Sequence, residues 1–382
     1  MQRSSKFSFE ECQRYSRHFV LPQVGQNGQE RLKSSSVALI GLGGLGSPVA
    51  QYLTAAGVGQ MLLVDSDSVS LSNLQRQVLY GTDDIGKPKA KVAAQRLSSL
   101  NPEISLRVVE ASLSLDNARE IVDQVDLVID ATDNLGSRYL INDVCAELRK
   151  PFIYGSIHQF QGQVSFFRPG HKACFRCLFP DPPGVDEIPN CAQSGVLGVL
   201  PGIVGSIQAA EALKFLIGIA PSLDEKLLIV DLLQMSFRTV SLKQDPECLL
   251  CIRSHDMDYF SRRGDYCRKE DQSACSVSGG ETVSENFAEI LSAELGPALE
   301  KSGVLLLDVR EEFEFQSYHL PGALNIPLGV IGEHLQELKQ HGSIIVYCQG
   351  GYRSASAAKI LKEGGCKVVR SLRGGLNGMA KP

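Results

Sequence analysis

The sequence predicts two α/β units: a larger one over residues 1–251 and a smaller one over 281–382, joined by a linker at 252–280. Three observations carry this. Short apolar strands alternate with helix-forming segments in both halves, a glycine-rich turn follows the first strand, and the alternation fails in between. Alternating strands and helices imply a parallel sheet wound with helices on both faces.

Taken in order, residues 10–33 read as a helical arm, and the apolar strand Val37–Ile40 runs directly into Gly41-Leu-Gly-Gly-Leu-Gly46. A helix from Ser47 to Ala56 follows. The second strand, Met61–Val64, ends at Asp65; a helix is expected around Lys87–Ser99, and a strand at Leu127–Ile129 ends at Asp130. The apolar run Val196–Ala220 contains Pro201, Glu211 and Lys214, which marks a buried helix and not a membrane span. Between Ile252 and Gly280, charge and turn residues such as Ser261-Arg-Arg-Gly-Asp come without apolar periodicity, as in a linker. Alternation resumes with strands at Val304–Leu307, Ile344–Tyr347 and Lys367–Val369.

Composition narrows the function. With 382 residues the chain is long enough for two or three domains of about 150 residues. Lys+Arg 38 against Asp+Glu 43 leaves a net charge of -5, so the clustered cations of a nucleic-acid binder are not expected. Met1–Phe9 is polar and lacks the apolar core of a signal peptide, so a cytoplasmic location is expected, without a membrane partner. In a reducing compartment, 11 cysteines point to metal ligation or thiol chemistry.

The strand, the glycines Gly41, Gly43 and Gly46, the helix, and Asp65 beyond the second strand together fit a nucleotide site. Glycines let backbone amides approach phosphate, the helix N-terminus supplies positive potential, and Asp65 can accept from ribose hydroxyls. The motif alone suits NAD as well as ATP. The constellation Asp65-Ser-Asp67, Ser72-Asn-Leu-Gln-Arg76, Gly86-Lys-Pro-Lys89 and Ala131-Thr-Asp-Asn134 holds more cation than hydride transfer requires. Cleaving ATP between its α and β phosphates does require it, with Arg76, Lys89 and Mg²⁺ offsetting charge and Asp133 placed to hold the ion.

These motifs, with Arg14-Tyr-Ser-Arg17, resemble the MoeB/ThiF adenylyltransferases, relatives of ubiquitin-activating enzymes, over residues 10–251. The resemblance implies a Rossmann-like adenylation domain working as a homodimer on a ubiquitin-like sulfur-carrier protein that ends in Gly-Gly. It implies ATP contacts from Gly44, Asp65, Ser72, Asn73, Leu74, Gln75, Arg76, Lys89, Asp133 and Asn134, with Arg17 reaching across the dimer.

The cysteines divide by context. Cys174-Phe-Arg-Cys177 and Cys248-Leu-Leu-Cys251 are two matched knuckles, the spacing of a closed structural Zn²⁺ site; a redox pair comes singly. Cys191 lies in a polar Gly- and Pro-containing segment that reads as a loop; the resemblance implies a thioester or resolving role, and without it this is an incidental surface thiol. Cys12, Cys145 and Cys366 read as small buried hydrophobes.

Cys348 follows an apolar strand and opens Cys348-Gln-Gly-Gly-Tyr-Arg353 ahead of a helix at Ser354–Glu363, a geometry that aims amides, a helix N-terminus and Arg353 at the sulfur. With Leu307-Asp-Val-Arg-Glu311 and His319-Leu-Pro-Gly, this segment resembles a rhodanese domain, although Gln349 stands where arginine is frequent and the tail Leu372-Arg-Gly-Gly-Leu-Asn lacks tryptophan. The whole chain thus resembles the MoeZ-like fusion of an adenylyltransferase to a rhodanese sulfurtransferase. That implies a persulfide on Cys348, loaded by a cysteine desulfurase or thiosulfate. An NAD-dependent oxidoreductase with a regulatory rhodanese-like module is the alternative reading.

Overall fold

The computed structural model describes residues 7–168, 172–180, 195–252, 288–301 and 303–379. It divides the chain into two compact units, 1–276 and 277–382. Cys191 and nearly all of the expected linker lie outside the described residues.

The first unit is built on an eight-stranded sheet. In chain order its strands are β1 (Ser36–Ile40), β2 (Gln60–Val64), β3 (Ser105–Val109), β4 (Leu127–Asp130), β5 (Phe152–His158), β6 (Gln161–Phe167), β7 (Lys226–Asp231) and β8 (Ser236–Ser241). The spatial order is β3-β2-β1-β4-β5-β6-β7-β8. The first five strands of that order are parallel, as the alternation predicts. The last three, none of which the sequence reading places as a strand, pair antiparallel at one side of this parallel sheet. Two of these pairings are local: β5 and β6 join through a tight turn in which Gln159 adopts φ +51, and β7 and β8 through one in which Met235 adopts φ +47, whereas the connection from β6 to β7 includes the helix Val199–Ile217. Hairpins of this kind leave no room for a crossover helix.

The central strands are buried on both faces. Val37, Leu39, Leu63, Leu127 and Ile129 face the helix Gly46–Ala56 and the long helix Val199–Ile217, while Ala38, Ile40, Val64 and Val128 face the helices Ala118–Asp123 and Leu135–Glu147. The helix Val199–Ile217 is apolar and long enough to cross a membrane, yet more than half of it is buried inside this unit, where it packs on Gly46–Ala56 and on β5 and β6. The expected helical arm is three pieces, Phe9–Arg14, Ser16–Phe19 and Gly25–Ser34.

The second unit is a five-stranded parallel sheet of β9 (Ala288–Ile290), β10 (Val304–Asp308), β11 (Leu324–Asn325), β12 (Ser343–Tyr347) and β13 (Val369–Leu372), in the order β11-β10-β12-β13-β9. β13 begins two residues later than the sequence suggests. Val368 is exposed, and Val369 is the first residue whose side chain reaches the core.

A buried ion pair fixes one corner of the first unit. Arg176 donates to both carboxylate oxygens of Asp143, at 2.8 and 2.7 Å, and its guanidinium lies over the Tyr139 ring. Phe175 N–H donates to Asn142 Oδ1 at 2.9 Å, so the short helix Phe175–Leu178 is tied to the helix Leu135–Glu147. Asp143→Ala strands the buried guanidinium and is expected to cost about 3–5 kcal/mol, read as a lower denaturation midpoint of this unit in chemical unfolding.

Candidate functional site

The chain leaves β1 for β2 on one side and returns as β4 on the other, which opens a crevice at the carboxyl ends of β1 and β4. The glycine loop fills this position. Gly41 adopts φ +92, and a Cβ there would lie 2.7 Å from the Ala131 carbonyl oxygen; a Cβ on Gly46 would lie 2.0 Å from the Gly41 oxygen. Only glycine lets the loop press against both strand ends. At the end of β2, Asp65 holds the loop open: its Oδ2 accepts from Leu42 N–H and its Oδ1 from Asp67 N–H, both at 2.7 Å. Tyr80 O–H donates to the Leu42 carbonyl at 2.9 Å, so the peptide units on either side of Leu42 are both held. Burial pushes the Asp65 carboxyl above its ordinary value, and the nearby Lys89 ammonium opposes that shift. Lys89 is itself buried, with Nζ 2.8 Å from Asp67 Oδ2. Two-coordinate carboxylate oxygens still have acceptor capacity, so Asp65 can meet a ribose while holding the loop.

Leu71–Asn73 forms a single tight turn, and Arg76 folds back to donate to the Ser72 carbonyl at 3.1 Å. The stem of Arg76 runs beside Gly44, whose other neighbour is Pro201. Gln75 is exposed, and its main-chain oxygen packs on Gly198. At the end of β4, Asp133 is exposed and has no bond among the described residues. Asn134 already has a structural duty: its Oδ1 accepts from Ser137 N–H at 2.8 Å and caps the helix Leu135–Glu147. The structure therefore assembles Gly41–Gly46, Asp65, Arg76 and Lys89 around one loop. Arg17, on the helix Ser16–Phe19, is exposed and has no partner among the described residues. Sequence reasoning missed Tyr80, whose hydroxyl gains meaning only when the chain brings it to Leu42, and it gave no sign that Asp67 pairs with Lys89.

The four cysteines converge. Cys174 Sγ lies 3.8 Å from Cys177, 3.7 Å from Cys248 and 3.6 Å from Cys251, and Cys177 lies 3.5 Å from Cys251. A tetrahedron of thiolates about 2.3 Å from a central zinc has edges of about 3.8 Å, so the donor set fits that ion. Cys174 and Cys248 are buried beside Ala146 and Leu250. The Arg176–Asp143 pair anchors the first knuckle from behind.

In the second unit, Cys348 follows β12 and is 1% exposed. The N–H of Gly351 points at its Sγ from 3.1 Å, and the helix Tyr352–Glu363 begins immediately beyond. Below the sulfur, Cys348 donates to Ser354 Oγ at 3.7 Å and Ser371 donates to the same oxygen at 2.9 Å. Arg353, expected to face the sulfur, makes a two-pronged pair with Glu314 at 2.6 and 2.8 Å, and the Cys348 sulfur also acts on its charge. The pair forms because the helix Glu312–Ser317 brings a fixed carboxylate to the loop, a partner that strand and loop spacing do not reveal.

The tail after β13 clamps the loop. Leu376 N–H donates to the Cys348 carbonyl and Asn377 N–H to the Gln349 carbonyl, each at 2.9 Å, and a Cβ on Gly375 would lie 2.3 Å from that Cys348 oxygen. Glycine rather than a bulky residue in the tail is what permits this contact. Asp308 and Arg310 form a buried pair at 2.7 Å beside it. Of the cysteines read as buried hydrophobes, Cys145 and Cys366 are buried and Cys12 is half-buried. Burial pushes the Cys145 thiol up.

Comparison with known proteins agrees with this geometry. Residues 15–250 match the ThiF family and residues 292–381 the rhodanese-like domain. The chain is 39% identical to the probable adenylyltransferase/sulfurtransferase MoeZ of Mycobacterium tuberculosis, over 99% of this chain and 95% of that protein. It is 50% identical to the sulfur carrier protein adenylyltransferase of Thermus thermophilus, over 64% of this chain and 93% of that one. Among solved structures, E. coli MccB superposes with a TM-score of 0.57 at 21% identity, over 65% of this chain and 74% of that one, a likeness of fold. These matches set the nicotinamide oxidoreductase alternative aside. With a nucleotide-type glycine crevice in one unit and a cysteine loop in the other, the chain belongs to the ThiF family, in the branch of adenylyltransferase/sulfurtransferases that carry a C-terminal rhodanese-like domain.

Proposed function

We propose that residues 1–251 adenylate the C-terminal glycine of a ubiquitin-like sulfur-carrier protein ending in Gly-Gly, and that residues 281–382, beyond a linker at 252–280, supply sulfur from a persulfide on Cys348. The observation that carries the reading is a single chain with both a glycine cradle at a switch crevice and a cysteine loop before a helix N-terminus. The name of the Thermus thermophilus relative supports the choice of a carrier as substrate.

In this reading the phosphates of ATP lie along Gly41, Gly43, Gly44 and Gly46, and Asp65 accepts from the ribose. Ser72, Asn73, Leu74, Gln75 and Asn134 line the rest of the nucleotide. A carboxylate oxygen of the carrier attacks the α-phosphorus and pyrophosphate leaves, while Arg76 and Lys89 offset the developing charge. Asp133, exposed and unbonded, would hold Mg²⁺, which shields phosphate charge. The acyl-adenylate then meets the terminal persulfide sulfur: a carbon–sulfur bond forms, AMP leaves, and thiol exchange at the new disulfide frees a carrier thiocarboxylate. Cys191 is assigned a thioester or resolving role. Cys174, Cys177, Cys248 and Cys251 would hold one structural Zn²⁺. Arg17 would reach the ATP of the second subunit in a homodimer, the sulfur would come from a cysteine desulfurase or thiosulfate, and the protein would work in the cytoplasm.

Arg76→Ala, Lys89→Ala and Asp133→Ala are each expected to lower carrier-dependent ATP–pyrophosphate exchange by about a hundredfold, on the scale of one lost charge-stabilising contact. Exchange at the wild-type rate in Asp133→Ala would remove the magnesium assignment. For the metal, elemental analysis should find one zinc per chain, lost together with thermal stability in Cys174→Ser or Cys248→Ser. To separate the two activities, Cys348→Ala should abolish sulfur transfer to cyanide and thiocarboxylate formation while carrier adenylation persists. Loss of both in a folded protein would refute the division of labour.

A further inference from the structure

Two arginines at the loop that carries Cys348 are already matched by a carboxylate. Arg310 is buried against Asp308 at 2.7 Å, and Arg353 grips Glu314 through both prongs. Gln349, in the loop itself, is neutral. Gln349 is pinned between Arg310, which donates to its oxygen at 3.2 Å, and Asn377, which accepts from its nitrogen at 2.7 Å. Among the described residues the loop thus offers the Gly351 amide to the sulfur, while the guanidiniums of Arg310 and Arg353 are already paired with carboxylates.

Glu314 is built to stay in place. Its Oε2 accepts from Glu311 N–H at 3.0 Å, closing the first turn of the helix Glu312–Ser317, so the carboxylate is fixed before Arg353 meets it. The Glu314 and Arg353 side chains are only 19% and 20% exposed, where solvent screens a charge poorly. The Arg353 guanidinium holds the Glu314 carboxyl below its ordinary value, so it remains ionised at neutral pH.

We propose that Glu314 determines the donor specificity of the Cys348 loop: by neutralising Arg353 it disfavours the thiosulfate dianion and leaves persulfides as the preferred sulfur donors. The inference rests on the reading of Cys348 as a sulfur acceptor. With thiosulfate, the Cys348 thiolate attacks the sulfane sulfur, the sulfur–sulfur bond breaks, and sulfite departs with the bonding pair, so a dianion must approach a thiolate beside Glu314. With a persulfide, the thiolate attacks the terminal sulfur and the donor thiolate departs with the pair. The proton, where present, stays on the transferred sulfur, and less negative charge enters the site.

The test uses the full chain and two probe donors, thiosulfate and cysteine persulfide. Mass analysis of Cys348 and sulfur transfer to cyanide are followed in the wild type, Glu314→Asp, Glu314→Gln and Glu314→Ala. Removing the charge in Glu314→Gln or Glu314→Ala should raise kcat/KM for thiosulfate by about fivefold, the scale of one partly buried ion pair, mainly through KM. The gain should shrink with added salt, cysteine persulfide should respond little, and Glu314→Asp, which keeps the charge, should stay near wild type. Unchanged or weaker use of thiosulfate in Glu314→Gln and Glu314→Ala overturns the inference, as does an equal gain with both donors. Failure of the wild type to form a persulfide on Cys348 from either donor instead overturns the reading of that cysteine, and the inference with it.

Discussion

The nucleotide crevice depends on one carboxylate. Asp65, at the end of β2, accepts the Leu42 and Asp67 amides and so fixes the glycine loop that must lie open at the end of β1. The loop's own side chains, Leu42 and Leu45, are apolar and buried in the core, and Gly41 and Gly46 sit where any Cβ would collide with backbone, so no side chain of the loop can bond its main chain. Its conformation must be imposed from neighbouring strands. Asp65 and Tyr80 do so by binding the N–H and the carbonyl of Leu42, and Lys89 counters the charge that burial makes costly.

The same solution appears in the second unit. Cys348 also leaves the carboxyl end of a parallel strand, and its loop is again held by groups distant in sequence: the Asp308–Arg310 pair, Gln349 bridging to Asn377, and the tail after β13. Both units place reactive or ligand-facing backbone where parallel strands end and a helix begins, with N–H groups converging there. The knuckle cysteines obey a different constraint. Four sulfurs at van der Waals distance repel once ionised, and the buried Arg176–Asp143 pair secures the position of one knuckle before any ion is bound.

The sequence and the structure agree best where a local rule applies. Glycines after an apolar strand, paired cysteines two residues apart, and a cysteine between strand and helix each announce their geometry, because turn and helix constraints act over a few residues. Agreement weakens where partners come from far along the chain. Asp67 meets Lys89 across 22 residues and Glu314 meets Arg353 across 39, and no spacing rule selects those pairs. Asn134 carries a second lesson: a polar residue in a site motif can be a helix cap, and its bond to Ser137 shows the cap directly.

By itself the sequence determined that there are two α/β units, the order of the parallel strands' punctuation, the glycine cradle, the four-cysteine set and the place of Cys348. These follow from short-range physics: apolar periodicity, positive φ at glycine, and knuckle spacing. Only the tertiary structure decided that β6 to β8 run antiparallel, that Asp65 serves the loop's own amides, and that Arg353 is taken up by Glu314. Each of those outcomes depends on which distant charges and strand edges meet when the core closes. Burial then gives such meetings their weight, since a charge removed from water must find its counterpart wherever the fold brings one.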